Sequence, residues 1–308
     1  MSIMVAGSTG LVGSALVRAF EKAGHEVVGV SRKVVDLQDN KATIAFVKDL
    51  KPLLIVDAAA KVGGIGANNS LPVEFLTQNI QIQNNLMEAA HSANVAKFVF
   101  LGSSCVYPRD SAQPIKEEYL LTGPLEKTNS AYAIAKIAGI ELINSYRKEF
   151  GHHWISLMPT NLYGPNDNFD LATSHALPAF IRKFVDAQAS GATSVTLWGD
   201  GTPRREFLHV DDLAAAVLLC AESYDDERLL NIGTGSDVTI AELASLVTRA
   251  SGFTGEIKWD SSHPNGTPRK VLDTSRISAL GWKPQVSLEQ GIANTIAWYR
   301  DNHRNGGK

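Results

Sequence analysis

Apolar residues along the chain follow two patterns that alternate. Short β-branched and apolar runs recur at 3–6, 25–30, 53–59, 96–102 and 154–158. Between them lie longer stretches with apolar residues three or four apart, as at Leu16, Val17 and Phe20, and a long one at 72–93. The first pattern predicts strands and the second helices. A largely apolar run such as 53–59 suits a strand covered on both faces of a parallel sheet. Strands alternating with helices over the first 160 residues predict a doubly wound, parallel α/β sheet of the Rossmann kind. Beyond that point the elements become shorter and mixed. A helix at 177–189 and a strand at 195–198 are followed by a strand at 229–232, a helix at 240–251 and a strand at 257–259. Helices near Ser275 and Ser287 complete the chain. The expected organisation is a larger lobe over 1–163, joined again by about 204–233. A smaller C-terminal α/β lobe is expected over 164–203 and 234–308.

Composition narrows the partners. Net charge is −3 with no basic run, which gives no support for binding nucleic acid or an anionic membrane. No apolar run approaches the ~20 residues needed to cross a bilayer, and the N-terminus enters a strand without the regions of a signal peptide. The two cysteines, Cys105 and Cys220, stand in dissimilar contexts that do not predict a disulfide. A reducing cytoplasm is therefore expected. No Cys/His cluster with metal-ligand spacing occurs, and no metal is expected.

Chemistry enters with the glycines. Gly7 to Gly13 reads GSTGLVG between the first strand and first helix, the context in which such a motif binds a dinucleotide. The first glycine permits a tight turn, the next lets backbone approach a pyrophosphate, and the last lets helix pack on strand. Gly7, Ser8, Thr9, Gly10, Leu11, Val12 and Gly13 are the expected phosphate contacts. The second strand ends in Ser31-Arg32-Lys33 instead of the acidic residue that binds a ribose hydroxyl. A basic residue there accommodates a 2′-phosphate, so NADP(H) is expected, with Arg32 the leading contact. An exposed basic loop is the alternative. Asp36 is placed at the adenine side.

In SAYAIAKIAGIE, Ser130 to Glu141, Tyr132 precedes Lys136 by four residues. On a helix the two share a face, roughly 6 Å apart along the axis. Bringing a phenol from about 10 to neutrality takes on the order of 4 kcal/mol, more than an exposed ion pair supplies. The pair is expected in a partly buried site if it does chemistry, and the same spacing also occurs by chance. SSCVYP follows the fourth strand. If the strand continues through it, Ser103 and Cys105 point the same way at the carboxyl end of the sheet, where ligands bind. A serine pair also serves as a turn or cap, and a lone cysteine as a small buried hydrophobe.

Together GSTGLVG, the SSC strand end, YxxxK, PTNLYGP and REFLHVDD resemble the extended short-chain dehydrogenases acting on nucleotide sugars. LGSSCVYP, MPTNLYGPNDNF, SHALPAFIRKF, WGDGTPRREFLHVDD and NGTPRKVLD are most similar to members that epimerise and reduce GDP-4-keto-6-deoxymannose. The resemblance implies a homodimer paired through helices at 72–93 and 130–150. It carries cofactor contacts to Leu101, Gly102, Ser103, Lys136, Pro159, Asn161, Leu162 and His175. It implies Cys105 as base and His175 as acid for inverting two carbons. Hydride from NADPH then reaches C4, with Ser103 on the C4 oxygen, Tyr132 protonating it and Lys136 lowering the tyrosine pKa. Substrate contacts fall on Lys183, Trp198, Arg205 and Lys270. Lys183 stands where the family often has arginine, which keeps charge but loses bidentate geometry. His175 could equally cap a helix. A plain 4-keto reductase or 4-epimerase is the competing reading within the family, and neither needs the Cys105 and His175 pair. A redox sensor or binding protein that kept the fold without catalysis is the reading from another class.

Overall fold

The computed structural model describes residues 2–262 and 265–303. Residues 1 and 304–308, the outer ends of the two expected lobes, lie outside the described residues, as do 263–264. The chain opens with β1 (Ser2–Ala6), α1 (Leu11–Lys22), β2 (Glu26–Val30), α2 (Asn40–Leu50) and β3 (Leu54–Asp57). It continues through α3 (Ile65–Ser70), α4 (Pro72–Ser92), β4 (Lys97–Leu101), α5 (Ser130–Phe150) and β5 (Ile155–Pro159).

Side chains alternate along each strand, so one strand feeds two cores. Ile3 and Val5 face α1, while Met4 and Ala6 face α2, α4 and α5. Both faces are covered, which is why these runs carry no polar alternation.

The second part contains β6 (Asn161–Tyr163), α6 (Ala176–Ser190), β7 (Ser194–Trp198), β8 (Arg204–Arg205) and β9 (Phe207–His209). Then follow α7 (Val210–Ser223), β10 (Leu230–Ile232), β11 (Val238–Thr239), α8 (Ile240–Ser251) and β12 (Glu256–Asp260). The last elements are β13 (Arg269–Lys270), α9 (Ser275–Ala279) and α10 (Leu288–His303).

The main sheet runs β10-β5-β4-β3-β1-β2, and every neighbouring pair is parallel. After β2 the chain crosses to the other side of β1, so strand order reverses between β1 and β3. A ligand crevice opens at the carboxyl ends beside such a switch point. α7 packs on the same face as α1. A separate core around Phe180, Phe184, Leu243, Val247, Phe253 and Ile296 holds α6, α8 and α10. Three small sheets accompany it: β11-β8-β13, β12-β7 and β6-β9.

Two local expectations change. The stretch 58–69, AAAKVGGIGANN with its alanines and glycines, reads as a loop, but α3 begins within it. The fourth strand, expected at 96–102, spans Lys97–Leu101 and does not continue through SSCVYP, where Ser104–Val106 forms a 3-10 turn. The hydroxyl of Ser103 accepts from Cys105 N at 3.2 Å, closing the turn and breaking the period of two. Ser103 and Cys105 therefore reach the cleft by a cap and a turn.

Candidate active site

The glycine motif forms the turn that its spacing requires. Gly7 has φ +77°, and a Cβ there would stand 2.7 Å from Ala58 O. A Cβ on Gly13 would stand 2.1 Å from Gly7 O, so α1 rests directly on the β1 turn. At Gly10 the nearest atom would be 3.5 Å away, which leaves room for a ligand over the backbone. Gly10 precedes α1 and offers no side-chain cap. Leu11, Val12 and Gly13 thus carry the helix's first amides, a ready anion site. Gly7 N and Ser8 N donate to Val30 O at 2.8 and 3.1 Å, which ties the loop to the end of β2. Thr9 is exposed between them, and Arg32 is exposed just beyond β2. One oxygen of Asp36 accepts from Gln38 N at 3.0 Å in a local turn. These residues fit a dinucleotide: an open cradle over Gly10, free helix amides and a cation where the second strand ends.

Across the switch point, Gly102 N donates to Leu157 O at 2.9 Å, and a Cβ on Gly102 would strike Met158. Tyr132 and Lys136 lie on α5, as their spacing predicts. Lys136 is buried, donates to Leu101 O at 2.9 Å and stands 4.7 Å from the centre of the Phe100 ring. Burial drives its pKa down, and the nearby Asp57 carboxylate opposes that. The Tyr132 phenol differs from expectation. Burial raises its pKa, the charge of Cys105 adds to the rise, and a hydrogen bond with Ser103 opposes it. The Lys136 ammonium points to a backbone carbonyl and shares its field with Asp57, so the phenol is not brought down.

Cys105 has neighbours from distant parts of the chain. Asn129 Nδ2 lies 3.3 Å from its sulfur and Lys270 Nζ lies 3.6 Å away. Arg205 is close enough to feel its charge. Arg205 Nη1 donates to Arg204 O at 2.8 Å, and Gly266 leaves space beside its guanidinium. Asn129 occupies the N-cap of α5 yet makes no cap bond, forgoing about 1 kcal/mol that such a bond ordinarily contributes. His175 likewise precedes α6 without capping it. Its side chain is solvent-exposed, yet desolvation by the surrounding protein, with Lys270 nearby, holds the imidazole below its ordinary pKa.

The remaining expected contacts are placed less centrally. Lys183 donates to Thr196 O at 2.9 Å and lies 5.9 Å from the centre of the Trp198 ring. The pair stands on α6 and β7, and Trp198 is 58% exposed. Pro159 is buried at the end of β5, and Leu162 is half-buried on β6. Asn161 donates to Glu206 O at 2.8 Å. A concavity of about 940 Å³ lined by Arg147, Asp225 and Arg276, among others, lies by the amino ends of β5 and β10, away from all of these residues.

Two residues escape sequence reading. Asp57 ends β3 opposite Ala6 and Phe100, is 1% exposed, and has its carboxyl pKa pushed up to about 6 by burial. A charge in the apolar run LIVDAA was its only sign. Asn129 looks like an ordinary helix cap.

Residues 3–233 match the NAD dependent epimerase/dehydratase family. The chain is 51% identical over 302 residues to a probable GDP-L-fucose synthase 1 of Oryza sativa subsp. japonica, covering 97% of this chain and 92% of that one. Among solved structures it is similar to a GDP-L-fucose synthetase from Naegleria fowleri bound to NADP. There the TM-score is 0.92 at 29% identity, over 100% of this chain and 96% of the other. It is also similar to a GDP-6-OMe-4-keto-L-xylo-heptose reductase from C. jejuni, with a TM-score of 0.92 at 34% identity over 97% of both chains. Motifs, sheet order and relatives agree, and the chain belongs to the NAD dependent epimerase/dehydratase family.

Proposed function

We propose that this chain converts GDP-4-keto-6-deoxy-D-mannose to GDP-L-fucose, inverting C3 and C5 and reducing the C4 ketone with NADPH. The observation that carries the reading is the convergence of Cys105, Ser103 and Tyr132 in one cleft, with Lys270 beside the sulfur. Relatives of similar length that are named GDP-L-fucose synthase support it.

Hydrogen bonds from Ser103 and Tyr132 to the C4 oxygen draw electrons from the ring and acidify the hydrogens at C3 and C5. Cys105 removes a proton from one face, and His175 returns one to the other. A lowered imidazole pKa makes the protonated ring a readier donor but a less populated one. NADPH, when bound, supplies the hydride that C4 accepts. Tyr132 then protonates the C4 oxygen. A raised phenol pKa suits this step, because the phenol stays protonated at neutral pH and an alkoxide is a far stronger base than a phenolate. Lys136 keeps positive charge behind the tyrosine.

Gly7 to Gly13 would hold the dinucleotide's phosphates, Arg32 its 2′-phosphate and Asp36 its adenine side, and Leu101, Gly102, Pro159, Asn161 and Leu162 would line the nicotinamide half. Lys183, Arg205 and Lys270 meet the substrate, and Trp198 offers it a flat face. In this division of labour 1–163 with about 204–233 holds cofactor, and 164–203 with 234–308 holds substrate. The enzyme is further proposed to be a cytoplasmic homodimer paired through α4 and α5. Apolar residues at their surface, with Val73 70% exposed, support the pairing, and two free cysteines suit a reducing compartment. Sedimentation at micromolar concentration giving one chain per particle would remove the dimer.

A 4-keto reductase without epimerisation is the second reading, favoured by the likeness to the heptose reductase. Identification of the product sugar separates the two. GDP-L-fucose formed with NADPH in preference to NADH, with that preference lost in Arg32→Ala, is the expected result. An unepimerised GDP-6-deoxy sugar as the sole product would leave only the reductase.

A further inference from the structure

Asn129 stands immediately before α5, where an asparagine side chain ordinarily accepts from the first free amides of the helix. It makes no such bond. Its amide nitrogen turns to Cys105 Sγ at 3.3 Å, and its carbonyl oxygen is buried with no hydrogen-bond partner among the described residues. Lys270, from the other lobe, reaches the same sulfur at 3.6 Å. Two N–H donors from unrelated parts of the chain therefore meet at one thiol, an arrangement that suits a sulfur carrying negative charge. The other charged or titratable groups facing this pocket are Arg205 from β8, Tyr132 from α5, and Glu126 and His175 at its margin. Cys220 has no such surroundings: it is fully buried among apolar side chains, which push its thiol pKa up to about 12.

We propose that Asn129 is a positioning residue for Cys105, its amide N–H holding the sulfur toward the substrate ring and compensating the charge it carries before proton abstraction. The inference rests on the reading of Cys105 as the epimerisation base. In that step a sulfur lone pair takes the proton from C3 or C5 and an S–H bond forms. The C–H electron pair becomes the enolate, and its charge is taken up at the C4 oxygen. Asn129 gains and loses no proton; it is the fixed dipole beside the atom whose charge changes.

The test separates this role from helix capping. Aspartate caps a helix as well as asparagine does, so a residue needed only for α5 would tolerate Asn129→Asp. The proposal requires the opposite, because that change replaces a donor to the sulfur with a carboxylate. Labelling of Cys105 by iodoacetamide, followed by peptide mass spectrometry at pH 7.5 without substrate, is expected to slow about tenfold in Asn129→Ala and further in Asn129→Asp. NADPH affinity should be unchanged in both, and buried Cys220 serves as the internal control. With substrate in deuterated water, kcat for exchange should fall at least tenfold in both variants while KM stays within twofold. Wild-type labelling and exchange in Asn129→Asp would overturn the proposal, even if the alanine variant folded poorly. Slowed labelling without any exchange in wild type would instead leave the sulfur's setting intact and remove the epimerase reading.

Discussion

At the scale of single residues, the site depends on buried groups whose charges are set against burial. Asp57 lies on the sheet face toward α5, with Oδ1 accepting from Ala59 N at 3.1 Å and Oδ2 without a partner among the described residues. Its carboxyl titrates near about 6 when folded, against 3.8 as the ordinary value. A raised acid favours the folded state fully below pH 4. That contribution is lost as pH rises through about 6, for a change on the order of 3 kcal/mol. In urea melts, wild-type stability should therefore fall relative to Asp57→Asn between pH 4 and about 6 and run parallel above. Two parallel curves across that window would mean that Asp57 is ionised throughout. Sequence could not reveal this, because a buried carboxyl depends on which side chain another strand or helix brings beside it. Tyr132 is the complementary case. Its spacing from Lys136 was legible, but its electrostatics were not, since Lys136 bonds to Leu101 O and not to the phenol.

Elements read well where one period dominates. α8 was expected at 240–251 and spans Ile240–Ser251, because its apolar spacing is regular and Thr239 with Glu242 forms a capping box. α3 was hidden in IGANNS, six residues with only Ile65 and Ala67 to mark a face. The turn after β4 was not legible, because Val106 and Tyr107 prolong the apolar run while the Ser103 cap that ends the strand is a local bond. The glycine turn was legible to the residue, since close approach of backbone admits no substitute. Gly13→Ala tests it: a Cβ 2.1 Å from Gly7 O must part α1 from β1. A loss of about 1–3 kcal/mol in stability is expected, with at least tenfold weaker NADPH binding by fluorescence titration. Wild-type affinity would show that the cofactor does not rest on this turn.

At the scale of the whole molecule, one buried side chain joins distant segments. Glu206 accepts from Thr234 N at 2.6 Å, Gly235 N at 2.7 Å and Leu272 N at 2.9 Å. Thus the strand carrying Arg205, the turn after β10 and the segment carrying Lys270 meet at one carboxyl. Glu206→Ala leaves those amides unpaired, and thermal or urea unfolding should register a loss of at least about 3 kcal/mol. Lys270 should also be displaced from Cys105, so iodoacetamide labelling of Cys105 should change with it. Unchanged stability would mean that the segments hold their places independently. The parallel sheet was legible from its apolar runs, and the resemblance put residues 105, 205 and 270 at one substrate; the place of Asn129 beside Cys105 was not legible, because only the folded chain brings the two together.

The central claim is that one cleft removes protons at two carbons and reduces a third. Its most direct measurement is deuterium content of the product formed from GDP-4-keto-6-deoxy-D-mannose and NADPH in deuterated water. Wild type should give a GDP-L-fucose with deuterium at both C3 and C5, and Cys105→Ser should lose that incorporation by at least a hundredfold while still binding NADPH. A product without deuterium at C3 and C5, or exchange that survives in Cys105→Ser, would contradict the account.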